Sequence, residues 1–99
     1  SDLFSIDIVT KHVSDTPNPF SDEISISYTI AEPTNLVLEI YDALGRLVAR
    51  KSQYAPAKDL YEFKWDGKND SGQSVTPGLY LYRLKAGDFS DTRTVVLVR

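Results

Sequence analysis

The run FKWDGKNDSGQSVTPGLYLYRLKAGD, residues 63–88, leaves this chain few ways to fold. Side chains two apart on an extended backbone share a face, so Tyr61, Phe63 and Trp65 project together while Leu60, Glu62 and Lys64 project the other way. Asp66-Gly67, Asp70-Ser71-Gly72 and Pro77-Gly78 follow, each with a residue whose φ is free to turn positive or is preset for a turn. Such residues reverse a chain and do not build helices. The alternation resumes at Gly78, with Tyr80, Tyr82 and Leu84 on one side. The stretch predicts two amphipathic strands joined by a turn-rich loop, with the only Trp of the chain in an apolar layer between sheets.

The remaining sequence repeats the pattern. Leu3–Val9 alternates Phe4, Ile6 and Ile8 with Ser5 and Asp7 and reads as a first strand. Thr10–Asp22 carries His12, Ser14, Asp15, Pro17 and Pro19 and reads as an extended connection whose one large apolar residue, Phe20, plugs an end of the core. Residues 1–15 are thus expected as an edge strand and a linker-like lead-in to a single domain spanning 1–99. Glu23–Ile30 sets Ile24, Ile26, Tyr28 and Ile30 against four polar residues, and Leu36–Asp42 sets Leu36, Leu38 and Ile40 inward. Gly45 argues against a helix over 42–51 and for a tight connection into a strand from Leu47. Ser52–Asp59, with Pro56, reads as loop, and Lys85-Ala86-Gly87-Asp88 as a hairpin turn. Phe89–Arg99 is the last strand, with Val95 and Leu97 on one face and Val96 and Val98 on the other. Seven strands and no helix predict an all-β fold: a seven-stranded antiparallel immunoglobulin-like sandwich of the fibronectin-III-like kind. Ile26, Tyr28, Leu38, Ile40, Trp65 and Tyr82 are its expected core.

Composition narrows what such a domain does. Ninety-nine residues hold one core, not two. Without Cys there is no disulfide and no thiolate metal site, and a single His excludes a two-His site. A net charge of −3 with eleven scattered basic residues argues against nucleic acid. No apolar run is long enough for a membrane-spanning helix. No nucleophile elbow, phosphate-binding loop or dinucleotide fingerprint occurs, so no catalytic residue, metal ligand or cofactor is expected. Asp66–Gly72 has the composition of a calcium loop, but an EF-hand counted from Asp66 puts Lys68 third, Ser71 sixth and Pro77 twelfth. Side-chain bonding to the turn backbone is the expected duty there. Tyr41, Tyr54 and Tyr61, if outward, would offer a sugar-stacking platform; as ordinary strand residues they would only cover a sheet face.

Several motifs then fall into register. They are Thr16-Pro17-Asn18-Pro19-Phe20, Leu38-Glu39-Ile40-Tyr41-Asp42-Ala43-Leu44-Gly45-Arg46, Trp65-Asp66-Gly67, Gly78-Leu79-Tyr80-Leu81-Tyr82-Arg83-Leu84 and the terminal Thr92–Arg99. Together, over about Thr16 to Arg99, they resemble the FlgD-like immunoglobulin family and, more narrowly, the type A C-terminal sorting domain of the type IX secretion system. The resemblance implies a non-catalytic monomer at the end of an exported bacterial protein, covalently linked to an upstream catalytic domain such as a hydrolase. It implies outer-membrane secretion machinery and cell-surface lipopolysaccharide as partners, and a location outside the outer membrane. A carbohydrate-binding or spacer module of a secreted glycoside hydrolase is the alternative. The sorting and recognition residues it implies are Pro17, Asn18, Pro19, Gly78, Tyr80, Lys85, Gly87, Arg93, Val95, Val96, Leu97 and Val98. The sequence departs from the family after Phe20, where Ser21-Asp22 stand in place of Asn-Pro. The abrupt Ser1-Asp2 start reads as that of a piece of something longer.

Overall fold

A computed structural model describes residues 11–98. Seven strands follow one another: β1 (Lys11–Thr16), β2 (Ile24–Ile30), β3 (Thr34–Asp42), β4 (Leu47–Ala55), β5 (Asp59–Trp65), β6 (Gly78–Ala86) and β7 (Phe89–Leu97). They form a three-stranded sheet, β1-β2-β5, and a four-stranded sheet, β4-β3-β6-β7. Every neighbouring pair is antiparallel. The expected all-β, immunoglobulin-like architecture is therefore present.

The alternation read from sequence decides which side of each strand is dry. Ile24, Ile26, Tyr28 and Ile30 of β2 are buried in strict alternation, as are Leu36, Leu38 and Ile40 of β3 and Tyr80, Tyr82 and Leu84 of β6. Each such side chain contributes about 1.5–3 kcal/mol on full burial. Trp65 is the largest fully buried side chain, with ring centroids of Phe20 at 5.4 Å and Tyr80 at 5.3 Å. Its indole N–H donates to the Lys68 carbonyl at 2.9 Å, so the polar edge of the ring is satisfied inside the core. Phe20, 1% exposed, fills the end of the core as expected. Gly45 sits at φ 85 in the β3–β4 turn, where a Cβ is disfavoured, and so interrupts any helix across this segment.

Three boundaries differ from the sequence reading. The expected strand Leu3–Val9 lies outside the described residues, and Lys11–Thr16, expected to be connection, is instead the edge strand β1. It pairs with β2 through a register shift between His12 and Ser14. Its polar sequence hid it: β1 adds no residue to the apolar core, and Val13 is 49% exposed. Ser52–Ala55, expected to be loop, continues β4. The smaller sheet does not cover this edge strand, so its inward positions Lys51 and Gln53 are exposed and no apolar alternation was needed to form it. The final hairpin is also tighter than expected. Lys85 and Ala86 belong to β6, and the Gly87-Asp88 turn leads directly into Phe89.

Candidate recognition edge at one end of the sandwich

The residues of the sorting resemblance separate into three places. Pro17, Asn18 and Pro19 meet Val95, Val96, Leu97 and Val98 at one edge of the four-stranded sheet. Asn18 does this through its side-chain amide: Nδ2 donates to the Thr94 carbonyl at 3.2 Å, and Oδ1 accepts the Val96 N–H at 3.1 Å. Two residues on, the Phe20 N–H donates to the Val96 carbonyl at 2.9 Å and the Phe20 carbonyl accepts the Val98 N–H at 2.8 Å. The amide thus imitates one peptide unit of a strand, and Phe20 supplies the next, in a parallel bridge to Leu97. The peptide bonds before Pro17 and Pro19 are both cis. Pro17 and Pro19 donate no N–H, so between them only Asn18 can bond outward in both directions.

Gly78 and Tyr80 belong to the same end, paired across the sheet with Leu97 and Val95 respectively. The Tyr80 hydroxyl donates to the Thr76 carbonyl, which ties the loop ahead of β6 to the strand. Val95 and Leu97 are buried, Val96 is half-buried and Val98 is 44% exposed.

Lys85 and Gly87 lie at the other end, about 24 Å along β6 at the usual strand rise. Lys85 Nζ is 3.3 Å from Glu39, whose carboxylate also accepts the Tyr41 hydroxyl at 2.8 Å. The Tyr41 bond first, and Lys85 with it, hold the Glu39 carboxyl below its ordinary value.

Arg93 belongs to a third place, a polar cluster that joins β1 to the larger sheet. Arg93 Nε is 2.8 Å from Asp91, and Asp91 accepts the Tyr28 hydroxyl at 2.9 Å. Beside it the Tyr82 hydroxyl donates to Asp15 at 2.7 Å and lies 3.3 Å from His12 Nε2. The His12 ring meets Tyr28 edge-on at 5.2 Å. Burial, and then the bonds to Asp91 and Asp15, push the Tyr28 and Tyr82 hydroxyls far above the ordinary phenol value. Burial and the Arg93 charge push His12 down. Burial works to raise Asp91, but Arg93 and Tyr28 outweigh it and hold the carboxyl low. The two tyrosines are legible in the sequence as core residues. Their hydroxyl partners are not, because Asp15 and Asp91 are unremarkable acids in polar runs.

Two sequence expectations can be placed directly. The Asp66–Gly72 loop spends its side chains on its own backbone and on β4: Asp66 accepts the Lys68 N–H, Asn69 those of Ser71 and Gln73, and Asp70 that of Arg50. No cluster of three metal-binding side chains occurs among the described residues. The tyrosine platform does not assemble. Tyr61 lies on β5 and packs against the core, while Tyr41 and Tyr54 sit toward opposite ends of the β3–β4 pair. The outer edge of the terminal strand is covered from Thr94 to Val98 by Asn18 and Phe20.

Comparison with known proteins gives the following. The sequence profile of the FlgD Ig-like domain matches residues 14–89. No curated protein matches the chain in sequence. Among solved structures, dimeric latent PorU from Porphyromonas gingivalis is similar at 26% identity and a TM-score of 0.76, over 91% of this chain. PorZ, described as an essential surface component of the type IX secretion system of the same organism, is similar at 21% identity and a TM-score of 0.61, over 88% of this chain. FlgD from P. aeruginosa is similar at 23% identity and a TM-score of 0.62, over 90% of this chain and 73% of its own. The chain spans only 9% of PorU and 11% of PorZ. At their level of identity, PorZ and FlgD speak to the fold alone.

Proposed function

The chain belongs to the FlgD Ig-like domain family, and we propose that it is a non-catalytic C-terminal sorting or cell-surface attachment domain of an exported bacterial multidomain protein. The observation that carries this reading is the meeting of Pro17–Phe20 with Thr94–Val98. Residues 76 apart in sequence, drawn from the first and last motifs of the resemblance, close one edge together beside Gly78 and Tyr80. The likeness to PorU supports it as well. Such a domain acts by presenting a folded surface to the outer-membrane secretion machinery, not by making bonds, and its upstream partner is the covalently attached cargo. Exposed Val98 and half-buried Val96, framed by Asn18, are the surface on which recognition falls.

The test is a fusion of residues 1–99 to the C-terminus of a periplasmic reporter, in a host that carries type IX machinery. Reporter at the cell surface or in the medium is the expected result. Reporter held in the periplasm, with the domain folded, refutes export signalling.

A further inference from the structure

The two outer strands of the larger sheet are closed in the same manner at one end. Asn18 and Phe20 cover β7, and on β4 the part is taken by Asp70. Its N–H donates to the Val48 carbonyl and its Oδ1 accepts the Arg50 N–H, both at 3.2 Å. These contacts identify Val48 and Arg50 as residues whose peptide groups point away from β3. Pairing with β3 is regular from Ala49 to Ala55, so the next outward peptide groups are those of Ser52 and Tyr54. Their backbone N–H and C=O groups have no partner among the described residues. The surroundings are open too: on the outer face of the sheet beside this edge, Asn35 and Val37 of β3 and Ser52 and Tyr54 of β4 line a shallow depression of about 390 Å³, and Tyr54 is 59% exposed.

We propose that the Ser52–Tyr54 edge of β4 is a docking site for an extended acidic segment of a partner protein, which adds to the sheet as a fifth strand. The four open backbone groups supply the binding, as in other strand-addition complexes. Charge selects the partner. Arg50 lies on the outer face of this edge and Lys51 on its inner, exposed face; the Arg50 guanidinium is 3.8 Å from Glu39, a carboxylate it shares with Lys85, and the Asp70 carboxylate is spent on the Arg50 backbone N–H. A strand bearing Glu or Asp meets Arg50 and Lys51 with the opposite sign. This site is at the far end from the closed β7 edge and does not depend on the export reading.

The experiment is an amide NMR titration of the 99-residue chain with a short blocked peptide alternating valine and glutamate, and with its valine–lysine counterpart. The glutamate peptide is expected to shift the Ser52 and Tyr54 amides and slow their exchange, and the lysine peptide to bind more weakly. Ser52→Pro deletes an outward N–H and no bond to β3, so it should weaken binding about tenfold or more while the spectrum of the rest persists. Lys51→Glu keeps every backbone group and should reverse the preference between the peptides, which tests the proposal even if the proline variant fails to fold. No shift at Ser52 and Tyr54, shifts at Ser90 and Thr92 of β7 instead, equal binding of both peptides, or self-association through β4 would each overturn it.

Discussion

Replacing Asn18 by alanine removes a donor and an acceptor from the edge of β7 in one step. The bonds lost are those to the Thr94 carbonyl at 3.2 Å and from the Val96 N–H at 3.1 Å, both at an exposed site. A net hydrogen bond contributes about 0.5–1.5 kcal/mol, and water replaces part of it here, so the pair amounts to about 1–2 kcal/mol. For a domain of this size that corresponds to a fall in Tm of about 4–16 °C. Asn18→Asp separates edge bonding from turn preference. Aspartate retains an acceptor for Val96 but sets a carboxylate oxygen against the Thr94 carbonyl, so it should destabilise at least as much as alanine. The assay is thermal and urea unfolding of the parent and both variants, with hydrogen exchange read at Val96 and Val98. Loss of protection should be concentrated at those two amides. If the aspartate variant is as stable as the parent, Asn18 serves only as a turn former, a role that Asp shares, and the reasoning fails.

Other outcomes follow from the core and the polar cluster. Trp65→Phe loses the indole bond to Lys68 and part of the ring volume between Phe20 and Tyr80, and should cost about 1–3 kcal/mol in urea unfolding; an unchanged midpoint contradicts the packing described. Tyr82→Phe removes the hydroxyl shared by Asp15 and His12, costs about 1–2 kcal/mol, and should speed exchange in β1 before any other strand. His12 is held below the ordinary imidazole value of 6.5, so the unfolded chain takes up the proton first. The His12 share of stability is therefore complete above that pH and is lost as pH falls through it toward the folded value. His12→Gln should flatten that part of the profile. Tyr28 and Tyr82 are raised above 10.0, so stability should fall as pH climbs past that value, where the unfolded chain ionises and the folded one does not. A stability flat with pH on the alkaline side would contradict the buried hydroxyl bonds.

How much of this could be read from the amino acids depends on what covers each strand. β2, β3 and β6 each have one face against the core, so Ile24–Ile30, Leu36–Ile40 and Tyr80–Leu84 had to alternate, and they were plain. β1 was not, because His12 and Asp15 turn inward toward tyrosine hydroxyls, and apolar periodicity is blind to a polar residue with a polar partner. The second half of β4 was missed for the opposite reason: water covers Lys51 and Gln53, so nothing selected for apolar residues there. Phe20 was legible as a plug because it is alone among polar neighbours and prolines. The role of Asn18 was not, since its bonds span 76 and 78 residues and no local pattern records them.

The parallel bridge between Phe20 and Leu97 also bears on load. Tension that drags the chain preceding Asn18 one way and the chain following Val98 the other pulls two side-by-side parallel segments along their length. Their bonds, including those from Phe20 to Val96 and from Val98 to Phe20, then resist together as a shear joint instead of opening one by one like a zip. In that geometry the joint resists a pull between the two ends of the domain better than an edge loaded across its bonds would.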